Sequence, residues 1–527
     1  MLTGKNYIGL NLSGTGTTTF QSINPATGES LATVFFEATQ EEVDQACVLA
    51  ETAFPLFQST SIGERVNFLV AIAEEIDASM ELEEMYCLES GLNETRFRVE
   101  RSRTTNQLRS FADHIQKGHW LEASIDTSQS NNGLQQDLRR SMEGIGPVVV
   151  FGASNFPLAY STAGGDTASA LAAGCPVIVK SHPMHPGTGE LVAQAIIRAA
   201  KRTNIPEGVF SNLNSLSFTI GQKLVQHPSV KAVGFTGSYS GGKALFDLSV
   251  RRDEPIPFFA EMGSLNPVFV SKKAQSLNSD ELAEKLAISI TNDAGQFCTK
   301  PGLIFLEACM SSEEFINSLG DRIIAKANTR MLGADILNNF HRTSSDLVKL
   351  GAEAFIREST EKGHGANTLL VVNGNNFLSN PQMHEEVFGP FSIVVLCSEI
   401  GMIHKCVRSL RGQLTGTIHC EKDEIEKYKD LFEFVRKKSG RIIYNGVPTG
   451  VRVCGSMTHG GPFPASTDPR FTAVGVDAMR RFLRPVSYQN YPDILLPDCL
   501  KDKNILSIPR RINGEMNNYS DVQKNGE

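Results

Sequence analysis

The chain has 527 residues, of which 41% are hydrophobic and 20% charged, so it is long enough for several domains with sizeable cores. Its net charge of −8 excludes the basic face that nucleic-acid binding requires. We expect neither a signal peptide nor a membrane span, because the apolar runs are only as long as strands. The ten cysteines contain no CxxC pair, which predicts no metal site and indicates reduced thiols in the cytoplasm.

The first 142 residues are predicted to combine short β segments with helices. The Gly- and Thr-rich start is expected to be extended, and INPATGESLATV to form a hairpin. Residues 40–119 show the apolar period of amphipathic helices. Residues 121–142 are polar and are expected to form an extended arm.

Apolar strands alternate with helices over residues 146–262. The predicted strands are GPVVVFGA (146–153), CPVIVK (175–180), GVFSNLN (208–214), VKAVGFTG (230–237) and PIPFFAEM (255–262). Strands that are joined by crossover helices indicate a parallel, doubly wound α/β sheet.

A second series of strands and helices continues to about residue 446, so we expect two α/β domains. The predicted boundaries are 1–120 with 143–260 for the first domain, 261–470 for the second, 121–142 with 471–505 for an arm and C-terminal segment, and 506–527 for a polar tail. The last fifteen residues, NGEMNNYSDVQKNGE, are expected to be disordered.

Two features of the first domain are compatible with dinucleotide binding. No GxGxxG follows the first strand, but Gly237 and Ser238 in GFTGSYSGG would lie at a helix N-terminus, which favours phosphate. Lys180 ends an apolar strand at the edge where ligands gather. Each feature also has an ordinary interpretation, as a helix cap or as a lysine that reaches solvent.

Glu261 and Cys298 are the candidates for chemistry. Glu261 ends a strand of buried aromatic residues, where desolvation would suit a general base, although a structural acid is the alternative. Cys298 in GQFCTKPG follows a helix and precedes a strand, whereas Cys397, Cys420 and Cys309 lie in apolar strands. No histidine is expected beside Cys298, so the sequence does not support a Cys/His pair.

In chain order, the motifs SNFP, VIVK, FTGS, AEMGSLNP, GQFCT, EEVFGP and YNGVPTG resemble those of the aldehyde dehydrogenase superfamily. The resemblance is greatest to the branch of α-ketoglutarate semialdehyde (2,5-dioxovalerate) dehydrogenases and a bacterial NADP-dependent fatty aldehyde dehydrogenase. It implies two Rossmann-like α/β domains, the first NAD(P)-binding and the second catalytic, with a small β oligomerisation arm. A homodimer or homotetramer is therefore expected.

The resemblance also implies roles for individual residues. Cys298 corresponds to the nucleophile, Glu261 to the general base and Asn155 to the oxyanion-hole amide. The cofactor-binding positions are Lys180, Ser181, Gly237, Ser238, Glu386 and Phe388. The implied reaction passes through a thiohemiacetal, hydride transfer to nicotinamide and hydrolysis of a thioester.

The cofactor is predicted to be NADP or NAD, with NADP slightly favoured. NAD-preferring relatives carry a glutamate three positions after the lysine, and here that position is Pro183. The arginine expected to bind a 2′-phosphate is also missing, because Phe218 lies near its position.

The leading substrate is 2-oxoglutarate semialdehyde, whose carboxylate requires a cation. Arg103 and Arg452 are candidates for that cation, with surface ion pairs as the alternative, and Phe156 and Phe463 could line the pocket. A medium- or long-chain aliphatic aldehyde is the alternative substrate. His459 is expected to be structural. The presence of Glu261 and Cys298 argues against a non-catalytic relative, and Glu261 favours hydrolysis over acyl transfer.

Overall fold

The computed structural model describes residues 1–127, 136–350, 353–359, 361–519 and 521–522. The strands are β1 (Asn6–Ile8), β2 (Asn11–Ser13), β3 (Thr19–Phe20), β4 (Phe35–Phe36), β5 (Ser124–Asp126), β6 (Leu138–Gly144), β7 (Val148–Phe151), β8 (Val177–Lys180), β9 (Phe210–Leu213), β10 (Ala232–Thr236), β11 (Phe258–Glu261), β12 (Val268–Val270), β13 (Leu303–Glu307), β14 (Glu353–Arg357), β15 (Asn367–Asn373), β16 (Phe391–Cys397), β17 (Gln413–His419), β18 (Ser439–Tyr444), β19 (Leu483–Gln489), β20 (Pro509–Ile512) and β21 (Glu515–Asn518).

The helices are α1 (Gln40–Gln58), α2 (Ile62–Asp77), α3 (Leu82–Ser90), α4 (Glu94–Gln116), α5 (Gly165–Ala172), α6 (Pro186–Arg202), α7 (Phe218–Gln226), α8 (Tyr239–Val250), α9 (Lys272–Leu277), α10 (Ser279–Thr291), α11 (Ser312–Ala325), α12 (Ala334–Val348), α13 (Gly374–Ser379), α14 (Ile400–Ser409) and α15 (Lys429–Lys438). None of these helices is long and apolar enough to cross a membrane.

The predicted N-terminal helices start at capping residues. Thr39 with Glu42 forms a capping box at α1, and Ser61 with Glu64 forms another at α2. Each box satisfies backbone N–H groups that the first helical turn leaves unpaired. The apolar faces of both helices then pack into cores on the first sheet.

The first sheet has the strand order β11-β10-β7-β8-β9-β1-β2. Strands β7 to β11 are parallel to one another, and β1 and β2 add an antiparallel edge next to β9. The parallel strands are apolar and buried, as expected for a sheet that helices cover on both faces. The doubly wound sheet predicted from the sequence is confirmed.

The register of this sheet places several predicted site residues at one edge. Lys180 pairs with Phe151 on one side and with Leu213 on the other, and Thr236 pairs with Glu261. These residues end their strands, so the loops that follow lie side by side. Ligands bind at this carboxyl edge in open α/β sheets.

The second sheet has the order β14-β15-β16-β13-β12-β17-β18, and only β14 is antiparallel to its neighbour among the described strands. One face packs a core in which the rings of Phe269 and Phe305 stack 5.1 Å apart. The other face packs against α10 and α11. The fold is thus the expected pair of Rossmann-like α/β units.

The third sheet joins distant parts of the chain in the order β19-β6-β5-β20-β21. Its β5 and β6 come from the predicted arm (121–142), and β19 is the strand expected in the 480s. The prediction of a disordered tail is wrong for residues 513–518, because β21 forms a hairpin with β20, which in turn pairs with β5. Parts of the predicted arm (128–135) and tail (520 and 523–527) lie outside the described residues.

Candidate active site

A loop in left-handed conformation carries Cys298 away from the end of α10. Asp293, Ala294 and Gly295 have φ of 45°, 55° and 63°. Two of the three are not glycine, so the surrounding structure must hold the loop in this costly conformation. A Cβ on Gly295 would approach the carbonyl oxygen of Gly389 to 2.4 Å, so only glycine fits where the loop meets the segment after EEVF.

Amide side chains fix the same loop. Asn155 Nδ2 donates to the Gln296 carbonyl at 2.9 Å, and the Gln296 Oε1 atom accepts from the Leu332 N–H at 3.0 Å. Asn266 Nδ2 donates to the carbonyls of Cys298 at 2.8 Å and Lys300 at 2.9 Å. Asn155 therefore lies beside the cysteine loop, where its second amide hydrogen is available to an oxyanion.

Cys298, His459 and Glu261 form a connected cluster. His459 Nε2 lies 3.4 Å from Cys298 Sγ and 2.9 Å from Glu261 Oε1. His459 and Glu261 are almost fully buried, and Cys298 is partly exposed. The expectation of no histidine beside Cys298 is wrong, because His459 is 161 residues away in sequence. Its motif, THGGP, gave no sign of this contact.

The thiol of Cys298 requires a base. Burial, reinforced by the negative charge of Glu261, raises its pKa well above the ordinary value, and Arg103 opposes the shift. The resting group is therefore the thiol, and thiolate forms only when a proton acceptor takes the proton. His459 Nε2 is within hydrogen-bonding distance for that transfer.

The same three residues could hold a metal ion. One ligand atom from each of Glu261, Cys298 and His459 lies within 4.8 Å of the other two. Sulfur, imidazole and carboxylate ligands suit a thiophilic divalent ion such as zinc. The cluster also fits acid–base chemistry, which uses the same lone pairs.

Aromatic rings line the space next to Cys298. Phe156 contacts Tyr160 and Phe297, with ring centroids 5.1 and 5.7 Å apart. Tyr160 is 6.2 Å from the His459 ring. Phe156 thus belongs to this cluster, as expected for a pocket residue. Phe463 instead contacts Tyr239 of α8 at 6.2 Å, on the side of the Gly237 turn.

Two guanidinium groups lie within electrostatic range of the cysteine. Arg103 donates to the Tyr160 hydroxyl at 2.8 Å and influences the pKa of Cys298. Burial lowers the pKa of Arg441, and the charges of Cys298 and Tyr160 oppose that shift, so this group is also within electrostatic range. The sequence analysis missed Arg441, which lies on β18. Arg452 is exposed, and its predicted substrate contact stays a prediction.

Lys180 lies at the carboxyl edge as predicted. Its ammonium group donates to the Ser215 carbonyl at 2.8 Å, and burial lowers its pKa to about 8. The Ser181 side chain is only 1% exposed and faces Gly189 of α6. Its burial does not support the cofactor contact that was predicted for it.

The remaining predicted cofactor positions lie on two further loops. Ser238 caps α8 by accepting from the Gly241 N–H at 3.2 Å, and Gly237 donates its N–H to the Glu261 carbonyl at 3.1 Å. Glu386 and Phe388 are partly buried on the segment that Gly295 contacts. The hydrogen bond from Gly237 to Glu261 places the N-terminus of α8 next to the strand that ends in Glu261.

Glu386 lies in a tight, charged cradle. Burial raises its pKa to about 7, and Lys300 opposes that shift. Lys300 is itself buried and donates to the carbonyls of Val387 at 3.0 Å and Phe391 at 2.6 Å. A Cβ on Gly263 would lie 2.2 Å from Glu386 Oε2, so the carboxylate has room here only because residue 263 is glycine. Lys300, which the sequence analysis missed, holds the segment of Glu386 in place and balances its charge.

Comparison with known proteins gives a consistent family. The aldehyde dehydrogenase family profile matches residues 12–461. The chain is 43% identical over 524 residues to alpha-ketoglutaric semialdehyde dehydrogenase 2 of Azospirillum brasilense, covering 98% of this chain and 99% of that protein. It is 41% identical over 523 residues to alpha-ketoglutaric semialdehyde dehydrogenase of Acinetobacter baylyi, covering 97% and 98%.

The fold comparison agrees with this assignment. A solved lactaldehyde dehydrogenase structure superposes with a TM-score of 0.80 at 20% identity, covering 93% of this chain and 99% of that one. The profile, the near full-length relatives and the cysteine, histidine and glutamate cluster lead to one conclusion. The chain belongs to the aldehyde dehydrogenase family, whose members are oxidoreductases that use NAD or NADP.

Proposed function

We propose that the enzyme oxidises 2-oxoglutarate semialdehyde to 2-oxoglutarate with NAD(P)+. The observation that carries the proposal is the cluster in which His459 Nε2 contacts both Cys298 Sγ and Glu261 Oε1, with Arg103 and Arg441 within electrostatic range of the sulfur. The cluster supplies a nucleophile and a base, and the guanidinium groups supply positive charge for a carboxylate. The relatives named alpha-ketoglutaric semialdehyde dehydrogenase support the same substrate.

The first step is activation of the thiol. In the tautomer that carries its proton on Nδ1, His459 takes the Cys298 proton at Nε2 over 3.4 Å, and the new Nε2–H donates to Glu261 Oε1 at 2.9 Å. The thiolate then attacks the aldehyde carbon. Because thiolate both adds to and leaves from a carbonyl readily, the same sulfur serves both halves of the reaction.

The second step needs charge stabilisation and hydride removal. The Asn155 amide and the Cys298 backbone N–H donate to the oxyanion of the thiohemiacetal. A bound nicotinamide supplies a hydride acceptor. Glu386, with Gly263 and Lys300 around it, would hold the adjoining ribose, while Lys180, Gly237 and Ser238 would hold the rest of the dinucleotide.

The third step is hydrolysis of the thioester on Cys298. Glu261, assisted by His459, takes a proton from water, and the hydroxide attacks the acyl carbon. Water can approach because Cys298 is partly exposed although its two partners are buried. The departing thiolate takes back the proton from His459, so the products are the carboxylic acid and the free thiol.

A medium- or long-chain aliphatic aldehyde is the second candidate substrate, and the apolar lining supports it. Phe156, Tyr160 and Val474 are buried in one cluster, against which Phe297 and Met457 pack. An alkyl chain could use this surface. The carboxylate candidate is preferred because the Nε atoms of Arg103 and Arg441 are buried without a hydrogen-bond partner, which is costly unless an anion uses them.

A substrate panel tests these alternatives. We expect kcat/KM for 2-oxoglutarate semialdehyde to exceed that for alkanals of similar length by about a hundredfold. Arg103→Gln should remove most of this preference, mainly through KM, while Arg109→Gln on the exposed surface of α4 should not. A preference for long alkanals in the wild type would contradict the carboxylate proposal. A requirement for coenzyme A would contradict hydrolysis.

The domain division, assembly and location complete the proposal. Residues 1–120 with 143–260 bind the cofactor, and 261–470 form the catalytic domain. The third sheet is the oligomerisation arm of a homodimer or homotetramer. The described cysteines are all free, which supports a reducing, cytoplasmic location. Size-exclusion chromatography with light scattering tests the assembly, and a monomer would contradict it.

A further inference from the structure

A carboxylate from the N-terminal segment, that of Glu37, lies near Lys180 at the carboxyl edge of the first sheet. Glu37 follows β4 and is only 9% exposed. Its Oε1 atom accepts hydrogen bonds from the Ser217 N–H at 2.8 Å and from the Ser215 hydroxyl at 3.0 Å. Both serines lie in the loop between β9 and α7. The acid therefore reaches across the sheet edge into a loop 178 residues further along the chain.

Lys180 and Glu37 influence each other in this place. Lys180 donates to the carbonyl of the same Ser215, so both charged groups converge on one residue. Burial lowers the pKa of Lys180, and Glu37 opposes that shift. Burial also acts to raise the pKa of Glu37, but hydrogen bonds from Ser217 and Ser215 and the charge of Lys180 outweigh it and lower the pKa. Glu37 is thus an anion at neutral pH.

The groups around Glu37 are those that bind a phosphate. An ammonium group, two serine hydroxyls and a backbone N–H at the start of a helix form a common phosphate-binding set. Here the Glu37 carboxylate already accepts from the Ser217 N–H and the Ser215 hydroxyl, and the Lys180 charge acts on it. The Glu37 carboxylate therefore takes the place that a bound phosphate would otherwise occupy.

We propose that Glu37 accepts hydrogen bonds from the adenosine ribose hydroxyls and excludes a 2′-phosphate, so that the enzyme prefers NAD to NADP. This inference rests on the proposed function, in which Lys180 holds part of the same dinucleotide. Glu37 supplies from another segment the acid that Pro183 does not. The preference is opposite to the slight one for NADP that the local sequence favoured.

The selectivity follows from charge. An acid in a dinucleotide site hydrogen-bonds to the ribose 2′-hydroxyl of NAD, whereas NADP needs a cation for its 2′-phosphate. A phosphate monoester carries nearly two negative charges at pH 7 and would lie next to the Glu37 carboxylate. Lys180 supplies one positive charge, which Glu37 already balances.

The test compares both cofactors in the wild type and in Glu37→Gln. The amide keeps an oxygen for the Ser217 N–H but removes the charge. We expect the wild-type kcat/KM ratio of NAD to NADP to exceed about ten, and Glu37→Gln to lower that ratio at least about tenfold, since like charges in contact are strongly unfavourable. Glu37→Lys should favour NADP further. A wild type that prefers NADP, or an unchanged ratio in Glu37→Gln, would overturn the proposal.

Glu41→Gln is the matched control. Glu41 lies four residues further on, in the first turn of α1, and its side chain is exposed. Glu41→Gln changes the net charge by the same amount as Glu37→Gln. It should leave the kcat/KM ratio of NAD to NADP as in the wild type. An equal change in this variant would mean that general charge, not Glu37, sets the ratio, and would also overturn the proposal.

Calorimetric titration with adenosine 2′,5′-bisphosphate and with 5′-AMP separates this inference from the proposed function. Glu37→Gln should increase affinity for the bisphosphate and leave that for 5′-AMP within about threefold, whether or not the aldehyde assignment is right. Unchanged bisphosphate affinity in a folded variant would contradict the role of Glu37. If the wild type shows this nucleotide selectivity but oxidises no aldehyde in the panel, only the proposed function fails.

Discussion

The carboxyl edge of the first sheet and the loop of Cys298 contribute to one cleft but are built differently. The edge follows from regular elements, because parallel register alone aligns the ends of β8, β10 and β11. The loop depends on left-handed residues and on side chains from distant segments, such as Asn266 and His459. The edge carries the residues proposed to bind the cofactor, and the loop fixes the position of the Cys298 sulfur.

The largest expected effect lies at that reactive atom. Cys298→Ala should lower kcat at least about a thousandfold, because no other group can form the thioester. Cofactor binding at the sheet edge should persist, measured by calorimetry, if the two regions are separable. Cys87→Ala, which removes a partly exposed thiol on α3, should behave as the wild type. Turnover above one per cent in Cys298→Ala would refute the nucleophile assignment.

His459→Gln sharpens the comparison, since this residue joins the loop to the edge. Loss of the proton acceptor should lower kcat/KM about a hundredfold or more and move the rise of its pH profile to higher pH. A residue that only supports the fold would lower the melting temperature without moving the profile. His404→Gln on α14 is the control, and an unmoved profile in His459→Gln would leave His459 a structural role.

Alkylation of the free enzyme by iodoacetamide reports on the same site. Because burial and Glu261 raise the pKa of Cys298, the thiolate fraction should increase about tenfold per pH unit between pH 7 and 9. Mass spectrometry of the Cys298 peptide measures this rate. Glu261→Gln should speed labelling at pH 7 by removing the negative charge. A pH-independent rate would instead show a stable thiolate–imidazolium pair.

Gly295→Ala should give the smallest effect, on stability. The left-handed φ and the Gly389 carbonyl, 2.4 Å from a new Cβ, should lower the free energy of unfolding by about 1–3 kcal/mol. Gly401→Ala in α14 is the control and should be neutral or slightly stabilising, because its φ is ordinary and its nearest contact is a flexible side chain. Equal melting temperatures for the two variants would contradict a strained loop.

The sequence predicted the strands of the first sheet and the site residues that lie at their ends. Apolar strands at 148–151, 177–180 and 232–236 carry their own signal, and the ends of those strands located Lys180 and Glu261. Recognisable motifs identified Cys298 and Asn155 through a family resemblance. The contacts of His459, Glu37 and Arg441 had no local signal, because each depends on a meeting of segments far apart in the chain. The C-terminal hairpin was missed because its polar residues pair through backbone groups.

The third sheet has a consequence for the order in which the protein is made. Strands β5 and β6 leave the ribosome early, but their partners β20 and β19 come from the last forty-five residues. Their open edges must therefore wait through the synthesis of both α/β units. The sheet can therefore be completed only after both α/β units have been synthesised, and it joins segments from before and after them.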